Sequence, residues 1–268
     1  MRGLLASPLG LLIGLSLGAL GGGGSILAVP ALVYAAGQSP KHATTTSLVL
    51  VTLTALIGLA PHWRAGRVRW AAGAIFGLAG IGGSLLGSHW NRAANPDALL
   101  LAFSGLMFVA AWAMWRRLSS VAPAQPKSLS AAVLHPPVTH VRIDPITIVK
   151  VIAAGTVVGL LTGFFGVGGG FVIVPALVLA LGFTMPEAVG TSLLVIAINS
   201  VVALTTRFHA GAVEWSVVIP FTVASLIGVV IGSRLASTRD SSSLQRWFVG
   251  LLVLVATYTA VKSGLALR

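Results

Sequence analysis

The sequence predicts an all-α protein, a polytopic transmembrane helical bundle of two homologous repeats. Three observations carry this. Hydrophobic residues make up 56% of the 268 positions and charged residues 8%, against about 25% charge in an ordinary soluble domain. The apolar residues fall in long runs with almost no charge between their ends, as membrane-spanning helices require. The second half of the chain repeats the first at a constant offset.

The repeat is read by sliding the sequence on itself by 145 positions. GLSLGALGGGGSILAVPALV from Gly14 falls on GLLTGFFGVGGGFVIVPALV from Gly159. TTSLVL from Thr45 then meets GTSLLV from Gly190, and HWRAGRVRW from His62 meets RFHAGAVEW from Arg207. GSLLGS from Gly83 meets GVVIGS from Gly228, and Leu99, Phe103 and Gly105 meet Leu244, Phe248 and Gly250. Duplications of this kind are typical of secondary transporters. Residues 1–116 form the first transmembrane repeat, 117–145 a polar, proline-rich linker loop, and 146–268 the second repeat.

Each repeat holds about four apolar spans. In the first they are Leu9–Tyr34, Thr44–Ala60, Trp70–His89 and Ala98–Trp115; in the second, Ile146–Phe183, Ala188–Thr206, Trp215–Leu235 and Leu244–Val261. The first span of each repeat is too long for one simple helix and is broken by a glycine run and a proline. The extreme N-terminus mimics a signal peptide, but the same pattern recurs in mid-chain, where it cannot be one.

Counting each broken segment as one crossing gives eight crossings. The termini, the Arg64/Arg67/Arg69 loop, the linker and the Arg207/His209 loop then share one side, the cytoplasm by the positive-inside rule. The Arg234/Arg239/Arg246 cluster falls on the opposite side. Reading the glycine segments as hairpins of two short helices instead gives five plus five segments in inverted halves.

Several function classes are excluded or disfavoured. The net charge of +12 sits in short clusters between apolar runs, which membrane orientation explains and nucleic-acid binding does not. With no cysteine there is no thiol catalysis, iron–sulfur cluster or disulfide. The His residues are scattered, so no metal site is expected. HExxH is absent, and neither glycine run fits a nucleotide fingerprint, so the chain reads as no enzyme and needs no cofactor. The five carboxylates, Asp97, Asp144, Glu187, Glu214 and Asp240, all lie near span ends. A proton pump or cation exchanger usually keeps one at mid-membrane.

The candidate binding residues lie at the breaks. Gly21, Gly23 and Gly24 with Gly22, and Gly166, Gly168, Gly169 and Gly170, either let helices pack closely or unwind the helix and free backbone N–H groups for an anion. Thr45, Thr46 and Ser47, with Thr191 and Ser192, open the next helix in each half, as caps, back-bonded hydroxyls or donors beside the break. Asn199 is an amide inside an apolar span, facing either a neighbouring helix or a substrate. The basic loop with Arg64, Arg67, Arg207 and His209 is either a solvated positive-inside loop or a cationic mouth.

Two glycine runs with a following proline (GGGGSILAVP, GVGGGFVIVP), each followed by a T-S-L helix start and x-G-x-V-x-W, resemble the TauE/SafE sulfite-exporter family, also called the 4-toluene sulfonate uptake permease family. The resemblance covers nearly the whole chain. It implies a multi-pass permease of a prokaryotic inner membrane, with small sulfur-containing anions such as sulfite, sulfonates, sulfoacetate or thiosulfate as substrates. The expected partners are that anion and the lipid bilayer; the glycine faces also leave room for a homo-oligomer. The first half departs from the pattern, with Thr45 where the second has Gly190 and Ser25 where it has Gly170, so a site shared by both halves is asymmetric.

Overall fold

A computed structural model describes residues 2–24, 27–28, 32, 37, 40–91, 96–120, 145–165, 170–207 and 215–266. Among them are nine α-helices. These are α1 (Arg2–Leu20), α2 (Pro40–Arg64), α3 (Trp70–Asn91), α4 (Pro96–Ser120), α5 (Pro145–Phe165), α6 (Gly170–Leu179), α7 (Met185–Arg207), α8 (Trp215–Thr238) and α9 (Ser241–Ala266), with a 3-10 turn at Gly22–Gly24. Six of the helices contain an apolar stretch long enough to cross a membrane: Thr46–Arg64, Trp70–Gly87, Pro145–Phe164, Met185–Leu204, Val218–Thr238 and Ser241–Val261. The protein is thus a multi-pass, all-helical membrane protein. Pro40 and Met185, Trp70 and Trp215, and Pro96 and Ser241 each start a helix, and each pair is 145 positions apart.

Glycine decides which helices meet. Between α1 and α8, a Cβ built at Gly14 would lie 1.9 Å from the Ser225 carbonyl oxygen, and one at Gly18 2.3 Å from that of Val229. From the other side, a Cβ at Gly228 would lie 2.2 Å from Leu11 O. Only hydrogen fits in this seam, and in lipid such close backbone contact supplies the association that the hydrophobic effect does not. The α3–α5 seam is built the same way: Gly83 faces Thr156 O at 2.2 Å, and Gly159 faces Gly80 O at 2.1 Å. Each seam joins a helix from before the linker to one from after it.

The seams also give direction. Along α1 the residues 10, 14 and 18 meet 221, 225 and 229, rising together, so α1 and α8 are parallel. Residues 76, 80 and 84 of α3 meet 155, 159 and 163 of α5, again in parallel, and Gly73 and Gly77 of α3 meet Leu194 and Ile198 of α7. By contrast α2 and α7 are antiparallel, since Gly58 meets Leu193 while His62 meets Gly190. So α3, α5 and α7 run one way, and α2 the other. The end of α1 lies beside the end of α2, where His62 Nε2 is 3.3 Å from Gly18 O, so these two also run the same way. The antiparallel pair α4–α9 is tied by Gln245 Nε2 donating to Met114 O at 2.9 Å.

This corrects the eight-crossing arrangement. Because α1 and α2 are parallel, the chain from Leu20 to Pro40 has to return, and it begins to do so at once: a Cβ at Gly24 would meet Ile13 O at 2.4 Å and Leu17 N at 2.7 Å. The second half returns between α5 and α7 through α6, ten residues long and about 15 Å at 1.5 Å per residue. The start of α1 therefore lies at the opposite end of the bundle from the Arg64–Arg69 loop, not beside it. The ends of α4 and α5 that flank the linker lie with that loop. So does the α8–α9 connection, because Met185 N, at the start of α7, donates to Ser241 Oγ at 3.2 Å. The Arg234/Arg239/Arg246 cluster, on the wrong side of the eight-crossing reading, falls on the same end as Arg64, Arg67 and Arg69.

Lipid-facing positions carry large exposed apolar groups such as Leu78, Leu85, Val109, Ile146 and Leu254. Between the two seams the core closes around Phe76, Phe171, Phe221 and Phe248, and Phe103 of α4 meets Phe171 of α6 edge-on at 4.9 Å.

Candidate functional site

The site forms where the glycine turn after α1 reaches the start of α6. Gly21 has φ +71, a backbone conformation that side chains disfavour. A Cβ there would also meet Ser192 Oγ at 2.4 Å and Val189 Cα at 3.2 Å. At Gly22 a Cβ would meet Gly170 O at 1.4 Å, so the backbone of the first glycine run lies directly on the last glycine of the second. Gly23 belongs to the same 3-10 turn, and Gly24 closes it back onto α1. Gly166, Gly168 and Gly169 lie outside the described residues. Gly170 opens α6, whose first-turn N–H groups lack intrahelical partners and favour negative charge.

The hydroxyls divide by role. Thr191, fully buried, accepts the Arg69 N–H at 3.1 Å and so fastens the α2–α3 loop to α7. Ser192 donates back to Val189 O at 2.8 Å, the bond of a hydroxyl folded onto its own helix, while its oxygen lies against Gly21. Thr46 is buried and its Oγ1 has no hydrogen-bond partner among the described residues. Ser47 is buried next to it. These two do not join Thr191 and Ser192: α2 and α7 are antiparallel, so the pairs sit about twelve residues, or roughly 18 Å, apart along the bundle. Asn199 lies two turns beyond Ser192, its Nδ2 3.7 Å from the Cβ position of Gly80 on α3, with Oδ1 buried and without a hydrogen-bond partner among the described residues.

The structure adds residues that the sequence motifs did not single out. His62, 2% exposed, lies between Gly18 of α1 and Gly190 of α7. Its Nδ1 has no hydrogen-bond partner among the described residues. Its signal in the sequence was only its place in the basic loop motif. Glu187 takes Arg69 as an ion pair, Nη2–Oε1 2.5 Å and Nε–Oε1 3.1 Å. It also accepts the Thr184 N–H at 3.1 Å and the Thr184 hydroxyl at 3.0 Å, capping α7. Arg69 thereby binds α7 twice, through Thr191 and through Glu187. No cluster of three or more His, Cys, Asp or Glu able to hold a metal occurs among the described residues.

Paired glycine seams, and a glycine turn set against the start of the ten-residue α6, give the architecture of a membrane transporter. The comparisons are specific about which kind. The family description "Sulfite exporter TauE/SafE" matches residues 6–259, and the chain belongs to that family. A "Probable membrane transporter protein" of Xylella fastidiosa (strain 9a5c) is 35% identical over 260 residues, covering 96% of this chain and 94% of that one. The "Probable membrane transporter protein YunE" of Bacillus subtilis (strain 168) is 26% identical over 268 residues, 94% of this chain and 91% of its own. No solved structure gives a significant match.

Proposed function

We propose that the protein is a permease for small sulfur-containing anions such as sulfite, sulfonates or sulfoacetate, working by alternating access in a prokaryotic inner membrane. The observation that carries the reading is the approach of Gly22 to Gly170, which sets the glycine turn of the first half against the N-terminus of α6 in the second. Broken helices that meet from two halves, with a helix N-terminus toward an anion, are the usual architecture of such sites. The local groups suit an oxyanion: the first-turn backbone amides of α6, with Glu187, the one nearby carboxylate among the described residues, held by Arg69. A carboxylate free at this depth would repel the substrate.

The equal spacing of helix starts and the opposed directions of α2 and α7 support two inverted copies of one unit. On that reading the halves exchange roles as the site opens first to one side and then to the other. The positive-inside rule then puts the linker end in the cytoplasm. Arg64, Arg67, Arg69, Arg116, Arg117, Lys150, Arg234, Arg239 and Arg246 lie at that end, against Arg2, Lys41, Arg207 and Lys262 at the other. The chain acts as a transporter, with no catalytic step of its own.

The test is uptake of radiolabelled sulfite and sulfoacetate into liposomes holding the purified protein, with sulfate and a metal cation as controls. Saturable flux of the sulfur anions is the expected result. Flux that never saturates points to a channel-like pore; flux of the cation alone overturns the substrate class.

A further inference from the structure

We infer that His62 is the proton-carrying residue that couples anion transport to proton movement, an inference that rests on the anion-permease reading above. His62 lies in the last turns of α2 and is 2% exposed. Its Nε2 is 3.3 Å from the Gly18 carbonyl, in the final turn of α1. In the neutral ring Nε2–H donates to that carbonyl, which leaves Nδ1 as a bare acceptor. Nδ1 is buried and meets no donor among the described residues. An unpaired buried acceptor costs free energy, and here it belongs to a ring that lies against Gly18, just before the glycine turn that starts at Gly21, and whose ordinary titration lies near neutral pH.

The surroundings assign it a function. On α1, the Gly18 carbonyl near the helix C-terminus faces the ring, and a helix C-terminus favours a cation. The loop carries two cations, Arg67, whose backbone N–H donates to His62 O at 3.0 Å, and Arg69, which is paired with Glu187. On α7, Gly190 packs against the His62 Cβ, and three residues earlier stands Glu187, already neutralised by Arg69. No carboxylate is therefore left to balance an imidazolium. Charging a buried imidazole without a counter-ion is unfavourable, and an oxyanion at the neighbouring glycine turn is that counter-ion. Anion and proton then bind with positive linkage, each raising the other's affinity by the same factor. The proton goes onto Nδ1 as the anion enters and leaves from Nδ1 when the anion is released on the other side.

The duplication sharpens this. The position 145 residues on is Arg207, a permanent cation. One half carries a titratable base and the other a fixed charge, so the coupling group is unique to the first half.

The experiment uses methanesulfonate and toluenesulfonate, which stay deprotonated at the pH of the assay, so that any accompanying proton is carried by the protein. Full-length protein is reconstituted with a pH-sensitive dye inside the liposomes, and an inward sulfonate gradient is imposed. The wild type acidifies the interior as sulfonate enters. His62→Gln keeps an N–H donor for Gly18 O, and His62→Arg installs the residue of the second half. Both are expected to retain sulfonate exchange between labelled and unlabelled pools, while the acidification is lost. Acidification at the wild-type proton-to-anion ratio in His62→Gln overturns the inference, as does wild-type sulfonate entry with no acidification. If the wild type moves no sulfonate or sulfite at all, the substrate reading falls and the inference falls with it.

Discussion

The backbone of Gly22 rests on the backbone of Gly170, at a separation that leaves no space for a methyl group: its Cβ would stand 1.4 Å from the Gly170 carbonyl oxygen. Gly22→Ala has to push the two glycine segments apart. Overpacking a tight site costs about 1–3 kcal/mol, and a shift here falls on the anion site itself. Transport of sulfur anions should drop to background in Gly22→Ala, and in Gly23→Leu of the same turn, while the protein still inserts and purifies. Wild-type flux in both variants removes the glycine turn from the site.

The glycines of the two seams have a different role. Gly14→Leu and Gly159→Leu each drive a side chain into a facing backbone, at Ser225 and Gly80 respectively. Both should reduce the yield of folded protein and its melting temperature in detergent, and to similar degrees, because the two seams are built alike. Gly82 and Gly105 face open space, with nothing within 4 Å of a Cβ. Alanine at either should be neutral or stabilising, by up to about 1 kcal/mol from helix propensity. Melting curves of the four variants separate these cases, and equal damage at Gly105 would contradict the packing described.

The Arg69–Glu187 pair is part-exposed, at 33% and 22% of the side chains, so its electrostatic worth is small, about 0–1 kcal/mol. Glu187→Gln keeps most of the capping geometry at Thr184 and should cost no more than that. Thr191→Val should cost more, about 1–3 kcal/mol, because it leaves the part-buried Arg69 N–H without its acceptor, the fully buried Thr191 hydroxyl. Thermal unfolding of the two variants ranks them; the reverse order would show that the ion pair, not the buried hydroxyl, fixes the loop.

The helix directions predict sidedness. The chain has no cysteine, so single cysteines introduced at Ala131 in the linker and at Ala266 near the C-terminus can be labelled with impermeant maleimides without background. Ala131 should label only from the cytoplasmic side and Ala266 only from the other. Labelling of both from one side would restore the eight-crossing arrangement.

Much of the architecture was legible in the residues. Membrane spans follow from apolar runs because lipid forces every backbone group into internal hydrogen bonds, and only a helix does that within one segment. The sequence boundaries at Trp70 and Trp215 coincide with helix starts. The two glycine runs stand out in the sequence as breaks, and the structure sets Gly22 of the first against Gly170 of the second. Thr46 with Ser47 was placed beside Thr191 with Ser192 as one set of donors, and the bundle holds the two pairs far apart.

Composition and spacing by themselves determined that this chain lives in a bilayer, where its helices begin, and which small residues punctuate them. These are local properties: hydropathy and glycine act on the segment that contains them. Tertiary structure alone decided direction and partnership. A ten-residue return helix of about 15 Å and a mere break in one long helix leave the same apolar trace, yet they invert everything that follows. Whether a polar atom is satisfied depends on residues far away in the chain. Thr191 is taken by Arg69, and His62 keeps one nitrogen without a partner among the described residues, because of how α1, α2 and α7 come together.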